Sequence, residues 1–138
     1  MSRQDLYDQI VLDMKRQFGL RIKRWRKRMS GCAWRAWYAD GSVINWVEAP
    51  YPKSPMSLAV FLHEVGHHAI GFDTYKVRCE EEWAAWQWSL HAMRQLGVTP
   101  TPRVLKRVDA SLRYAVAKAE RRGIKRLPEQ LVEYSRAA

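Results

Sequence analysis

The sequence predicts an α+β domain: an N-terminal helix, a three-stranded antiparallel sheet, two core helices and a basic helical C-terminal extension. Three observations carry this. Apolar residues recur at helical spacing near both ends of the chain. Residues 20–50 have the β-branched, aromatic and turn-punctuated texture of short strands. Between these regions an apolar run, "SLAVFLHEVGHHAIGF" (Ser57 to Phe72), carries three histidines and a glutamate. With 138 residues, 47% of them hydrophobic and seven of them Trp, the chain can build one modest core and is not of disordered composition. The core is expected over residues 1–97, with the extension, 98–138, packed on it.

The first helix is expected over residues 2–18. Ser2 can cap it, Asp5 favours its dipole, and Leu6, Tyr7, Ile10, Val11, Met14 and Phe18 form its apolar stripe before Gly19 stops it. Three strands follow, "LRIKRWRK", "CAWRAWYA" and "SVINWVEA", with Gly31 separating the first two and the turn pair Asp40-Gly41 joining the last two as a hairpin. In the third strand Val43, Asn45 and Val47 share one face, and Ile44 and Trp46 the other. The loop "APYPKSP" leads to a buried helix from Ser57 to about Ile70, ended by Gly71. A second core helix is expected from about Cys79 to Leu96, ended by Gly97. Thr101 caps the next helix, with Pro102 in its first turn and Leu105, Val108, Leu112, Ala115, Val116 and Ala119 as its stripe. Gly123 breaks it, and "LPEQLVEYSRAA" is a short terminal helix.

The chemistry lies in "HEVGH", His63 to His67, which fits H-E-x-x-H. Residues four apart on a helix lie one turn apart on the same face, so His63 and His67 can direct ring nitrogens at one point. Zinc bonds imidazole at about 2.0–2.1 Å, and such a pair can grip one ion. Glu64 then lies beside the metal without ligating it, placed as the base that takes a proton from water. Histidines and a carboxylate buried without a partner would be costly. Gly66, inside the motif, allows close approach by a neighbouring backbone. His68 points about a hundred degrees away from His67 and is expected beside the site or at the surface.

A catalytic zinc needs a third protein ligand and an open position. The source is "RCEEEWAAWQWSLHAM", where Glu80, Glu81 and Glu82 open an apolar, aromatic helix. Acidic residues there also suit the helix dipole. Glu82 heads the stripe Trp86, Leu90 and Met93; Glu81 heads the adjoining stripe Ala85, Trp88 and Ala92. Glu82 is favoured as the ligand and Glu81 is its alternative, because phase alone does not separate neighbouring positions. His91 is expected to pack or hydrogen-bond rather than ligate, and Tyr75 is the candidate for oxyanion support.

These features resemble a minimal gluzincin-type zinc metallopeptidase, most of all the ImmA/IrrE-type and SprT-like small zinc peptidases of bacteria and phages. The likeness rests on "GSVINWVEAPYPKSP" before the motif helix, on "LAVFLHEVGHHAIG" itself and on "EEEWAAWQWSL", and it covers roughly Leu20 to Leu96. It implies a zincin-like fold and one zinc ion held by His63, His67 and one of Glu81 or Glu82. It also implies Glu64 as the catalytic base in hydrolysis of a specific protein substrate. The chain departs from the pattern in a short gap between His67 and the glutamates, and in Trp83-Ala84-Ala85-Trp86 where a small-Asn pair often stands. The third strand would lie at the cleft edge and hold an extended peptide by strand addition.

The formal net charge is +10, concentrated in "RIKRWRKR" and in the C-terminal third. That field makes nucleic acid a candidate partner, and a non-catalytic zinc-containing nucleic-acid-binding module of a phage or mobile element is the alternative function. No apolar run approaches the roughly 20 residues of a membrane span. "MSRQDLYDQI" has no secretory character, so a cytoplasmic location is expected, with Cys32 and Cys79 as free thiols.

Overall fold

A computed structural model describes residues 1–136. Its elements are α1 (Arg3–Phe18), β1 (Leu20–Arg26), β2 (Cys32–Trp37), β3 (Val43–Pro50), α2 (Pro55–Ile70), α3 (Arg78–Gln95) and α4 (Pro102–Arg121), followed by a 3₁₀ turn over Glu129–Tyr134. The architecture is α+β, as the sequence predicts. The terminal helix expected over "LPEQLVEYSRAA" is this shorter 3₁₀ turn, and the last two residues of that stretch, Ala137 and Ala138, lie outside the described residues.

The helix ends follow from local chemistry. Ser2 and Asp5 form a reciprocal capping box on α1, and Gly19 closes it in the left-handed conformation at φ 59°. α2 starts earlier than the apolar periodicity indicates. Ser54 caps it, with Pro55 in the first turn and Ser57 returning the capping bond. Both signals sit in the proline-containing stretch expected to be loop. Thr101 caps α4 by accepting from the Val104 N–H.

The sheet departs from the expected all-antiparallel order. β2 and β3 do form the antiparallel hairpin that Asp40-Gly41 predicts, with Trp34 opposite Trp46. β1, however, pairs parallel to β3, and the order is β1-β3-β2. The reason is burial. β3 carries Val47 and Ala49, both fully buried, and so takes the central position, whereas β2 alternates with exposed residues and suits an edge. The connection Lys27–Gly31 must therefore pass over the C-terminal end of β3. One consequence is that β3 has both edges occupied and cannot add a peptide strand, contrary to expectation; the edge next to the site is that of β2.

α2 is the hub of the domain. It packs against β3 on one side and α3 on the other, with α1 and α4 also touching it. Every residue from Ser57 to His68 is buried. One apolar cluster joins Tyr7, Ile10 and Val11 of α1, Leu58, Phe61 and Leu62 of α2, Trp86 and Met93 of α3, and Val104, Leu112 and Val116 of α4. Leu131 of the 3₁₀ turn completes it. Fully burying each such side chain is worth about 1.5–3 kcal/mol. Among the described residues no helix is long and apolar enough to cross a membrane. Cys32 and Cys79 are free thiols, as predicted.

The approach of α2 to α3 is closest at Gly66. A Cβ there would stand 2.8 Å from the Ala85 carbonyl oxygen, which belongs to backbone and cannot swing aside. Gly66→Ala should therefore lower stability by about 1–3 kcal/mol despite the better helix propensity of alanine. Urea unfolding measures this, and a stabilised variant would show that the helices are not held at this distance.

Candidate metal centre

α2 presents His63 and His67 one turn apart, and the first turns of α3 bring glutamates opposite them. One ligand atom each from His63, His67 and Glu82 lie within 4.8 Å of one another. The Nε2 of His63 is 3.1 Å from Glu82 Oε2, and the Nε2 of His67 is 3.1 Å from Glu82 Oε1. Four ligands bonded tetrahedrally at 2.0–2.1 Å, the length of zinc–imidazole bonds, are spaced about 3.3 Å apart, so these separations suit atoms around one ion. The Nε2 of His63 is buried and lacks a hydrogen-bond partner in spite of the nearby oxygen. An orphaned, buried, inward-facing nitrogen of this kind fits a missing ligand rather than a finished hydrogen bond.

Glu81, the alternative ligand, takes a different place. Its Oε2 is 2.8 Å from Nδ1 of His67, on the far side of the ring from the Glu82 contact. A carboxylate there fixes the ring's orientation and keeps its proton on Nδ1, leaving Nε2 free to ligate. Arg78 donates to Glu81 Oε2 at 2.9 Å and lies 3.1 Å from Glu82 Oε1. Its cation offsets part of the negative charge gathered at the start of α3. Trp86 stacks on His63 with ring centroids 4.0 Å apart and planes 6° from parallel, which locks the other imidazole.

Glu64 lies at 4% exposure in the cleft wall, its Oε2 3.3 Å from Nδ1 of His63. Gly31 of the β1–β2 connection presses against it. A Cβ at Gly31 would lie 2.6 Å from Glu64 Cγ and 2.7 Å from the Glu48 carbonyl oxygen. Sequence patterning assigned Gly31 only to a strand break; its closeness to Glu64 follows from the sheet order and leaves no local signal.

The other histidines stand apart. His68 is buried, and its Nε2 donates to the Trp46 carbonyl at 2.9 Å, tying α2 to β3. Burial pushes its pKa down, which keeps the ring neutral for that bond. His91 is exposed on α3 rather than packed. Tyr75 does not line the cleft; Tyr114 of α4 does. The cleft, of about 590 Å³, runs from His63, Glu64 and Glu82 to α4, a wall that lies far along the chain from the motif.

The chain matches no protein-family model, no curated protein and no solved structure. The site therefore stands on its own geometry.

Two charge shifts describe the metal-free centre. Burial works to lower the His63 pKa, but the carboxylates of Glu64 and Glu82 outweigh it and carry the group up to about 9. Burial works to raise Glu82, but the imidazoles of His63 and His67, each 3.1 Å from one of its oxygens, hold it far below the ordinary carboxylate range.

Two expected outcomes follow from this geometry. Glu82→Gln should abolish tight metal retention, whereas Glu81→Gln should weaken it about 10–100-fold, the usual cost of removing a ring-orienting carboxylate. Competition with a chromophoric chelator ranks the two, and the reverse ranking would make Glu81 the ligand. In chelator-stripped protein, the His63 contribution to stability is complete below its unfolded value of 6.5 and lost as pH rises through about 9. The Glu82 contribution is complete above its unfolded value of 4.5 and lost as pH falls. Thermal midpoints of stripped protein should peak between those two values and decline toward pH 10; a flat profile above pH 6 would contradict the assigned charge states.

Proposed function

We propose that this protein is a zinc-dependent metallopeptidase that hydrolyses a specific protein substrate. The observation that carries this is the convergence of His63, His67 and Glu82 at separations suited to one tetrahedral ion, with Glu64 buried beside them in an open cleft. Two imidazoles and one carboxylate are the donor set of many hydrolytic zinc sites, which keep a fourth position free. The likeness of "LAVFLHEVGHHAIG" and "EEEWAAWQWSL" to the small gluzincins supports the same conclusion.

His63 and His67 would hold the ion through Nε2, and Glu82 through its carboxylate. Zinc, when bound, polarises the scissile carbonyl and acidifies water toward neutrality. Glu64 is the group positioned to remove the proton from the attacking water. It then returns that proton to the amine as the carbon–nitrogen bond breaks, so that hydroxyl ends on the new acid and hydrogen on the new amine. Glu81 keeps His67 in its ligating tautomer, and Arg78 restrains Glu82 from the solvent side. The edge of β2, which follows Gly31 and Glu64 in space, is the strand able to take an extended substrate backbone.

A non-catalytic nucleic-acid-binding role has one observation in its favour. On the sheet face opposite α2, Trp34 stacks on Trp46 at 6.3 Å, and Arg21 and Lys23 lie over the Trp46 ring at 5.5 and 5.0 Å. Cations interleaved with aromatic planes suit single-stranded polyanions.

The two readings part on one comparison. Glu64→Gln should retain zinc by elemental analysis yet lose cleavage by at least about a hundredfold, read by profiling new peptide termini in host lysate against the wild type. Equal cleavage by the variant would remove Glu64 from the chemistry. Zinc-loaded protein that cuts nothing, but holds oligonucleotides with steep salt dependence, would favour the binding role.

A further inference from the structure

The cleft that reaches the metal centre is walled on its far side by α4, and its charge is unbalanced. The carboxylates lining it among the described residues are Glu64 and Glu82, both committed to the centre, and Glu82 is also paired with Arg78. Four other cations line the same space: Lys76, Arg107, Lys118 and Arg122. Among the described residues none of these four has a carboxylate within ion-pair distance. Val77, Ala115 and Ile124 add apolar surface to the same lining. Like charges gathered along a low-dielectric wall repel one another and focus a field that favours an anionic occupant.

We infer that the substrate segment taken by this cleft is an acidic peptide, and that Arg107 and Lys118 of α4 and Arg122 just past its end determine that specificity. The inference rests on the peptidase reading of the site and names its substrate class. From Arg107 to the C-cap Arg122 is about 22 Å at 1.5 Å per residue. An extended peptide covers that distance in about six or seven residues. The cations are thus spread over the length of one cleft-bound segment, and carboxylates at intervals along it would meet them while apolar side chains meet the apolar lining. A nucleic-acid strand fits this cleft less well. Strand binding draws on aromatic faces open to bases, and the cleft's tryptophan, Trp86, is 1% exposed with its face already against His63. The exposed cleft tyrosine, Tyr114, leaves a single platform.

The test measures binding without cleavage, in zinc-loaded full-length Glu64→Gln protein. The probes are a fluorescein-labelled octapeptide carrying three glutamates among leucines and alanines, the same peptide with three glutamines, and a labelled oligothymidylate. The glutamate peptide should bind at least about tenfold more tightly at low salt, with the gap closing as salt is added. Lys118→Glu with Arg122→Glu should erase the preference, and Lys118→Gln with Arg122→Gln should reduce it. Arg103→Glu with Arg121→Glu makes the same charge change at exposed α4 positions outside the cleft and should leave the preference intact. Equal affinity for the two peptides overturns the inference. So does an equal loss in the control pair, which would assign the effect to net charge, or displacement of the peptide by a more tightly bound oligothymidylate. Because no step needs turnover, a failure here is distinct from a failure to cleave.

Discussion

A glutamate on one helix can reach two imidazoles on another only if the helices stand close together. In this fold that distance is set where the α2 backbone at Gly66 meets the α3 backbone at Ala85. Gly66 lies inside the H-E-x-x-H turn, so the contact falls between the two histidines rather than at an end of the helix. Close backbones let Glu82 bridge His63 and His67 with both of its oxygens, and they put Trp86, one turn further along α3, face to face with His63. The hydroxyl of Ser89 donates to the Ala59 carbonyl at 2.8 Å and repeats the same closeness farther along the pair.

Bringing such groups out of water has an electrostatic cost, which the arrangement distributes. Glu81 and Glu82 would repel each other if left bare. Arg78 lies between them, and each carboxylate also faces an imidazole. A buried charge is tolerable when it is paired and hydrogen-bonded, and these pairs form a connected network rather than isolated contacts. The raised pKa of His63 is the same balance seen from the histidine side, since the carboxylates of Glu64 and Glu82 favour its protonated form.

Much of this was legible in the sequence, for reasons that can be stated. The i, i+4 spacing of His63 and His67 is a property of helical geometry alone, so their convergence needed only the helix, and the apolar run around them supplied it. The glutamates were harder. Glu81 and Glu82 are about a hundred degrees apart on α3, both can face α2, and the structure uses both, one toward the shared centre and one behind His67. The sheet order was not legible, because the hairpin signal at Asp40-Gly41 is local while the pairing of β1 with β3 depends on which strand is most buried. For the same reason the closeness of Gly31 to Glu64 and the participation of α4 in the cleft were hidden: each joins segments far apart in the chain and carries no motif.

The crossover of Lys27–Gly31 above β3 ties strand alignment to the position of Glu64. If β2 slipped by one residue along β3, Ser30 or Cys32 would arrive where Gly31 now sits, and a side chain would be forced into the space of Glu64. The sheet is thereby a ruler for the Glu64 side chain. Lengthening or shortening the turn at Tyr38–Ser42, which touches nothing in the cleft, would be transmitted through the hairpin and read out at the carboxylate on α2.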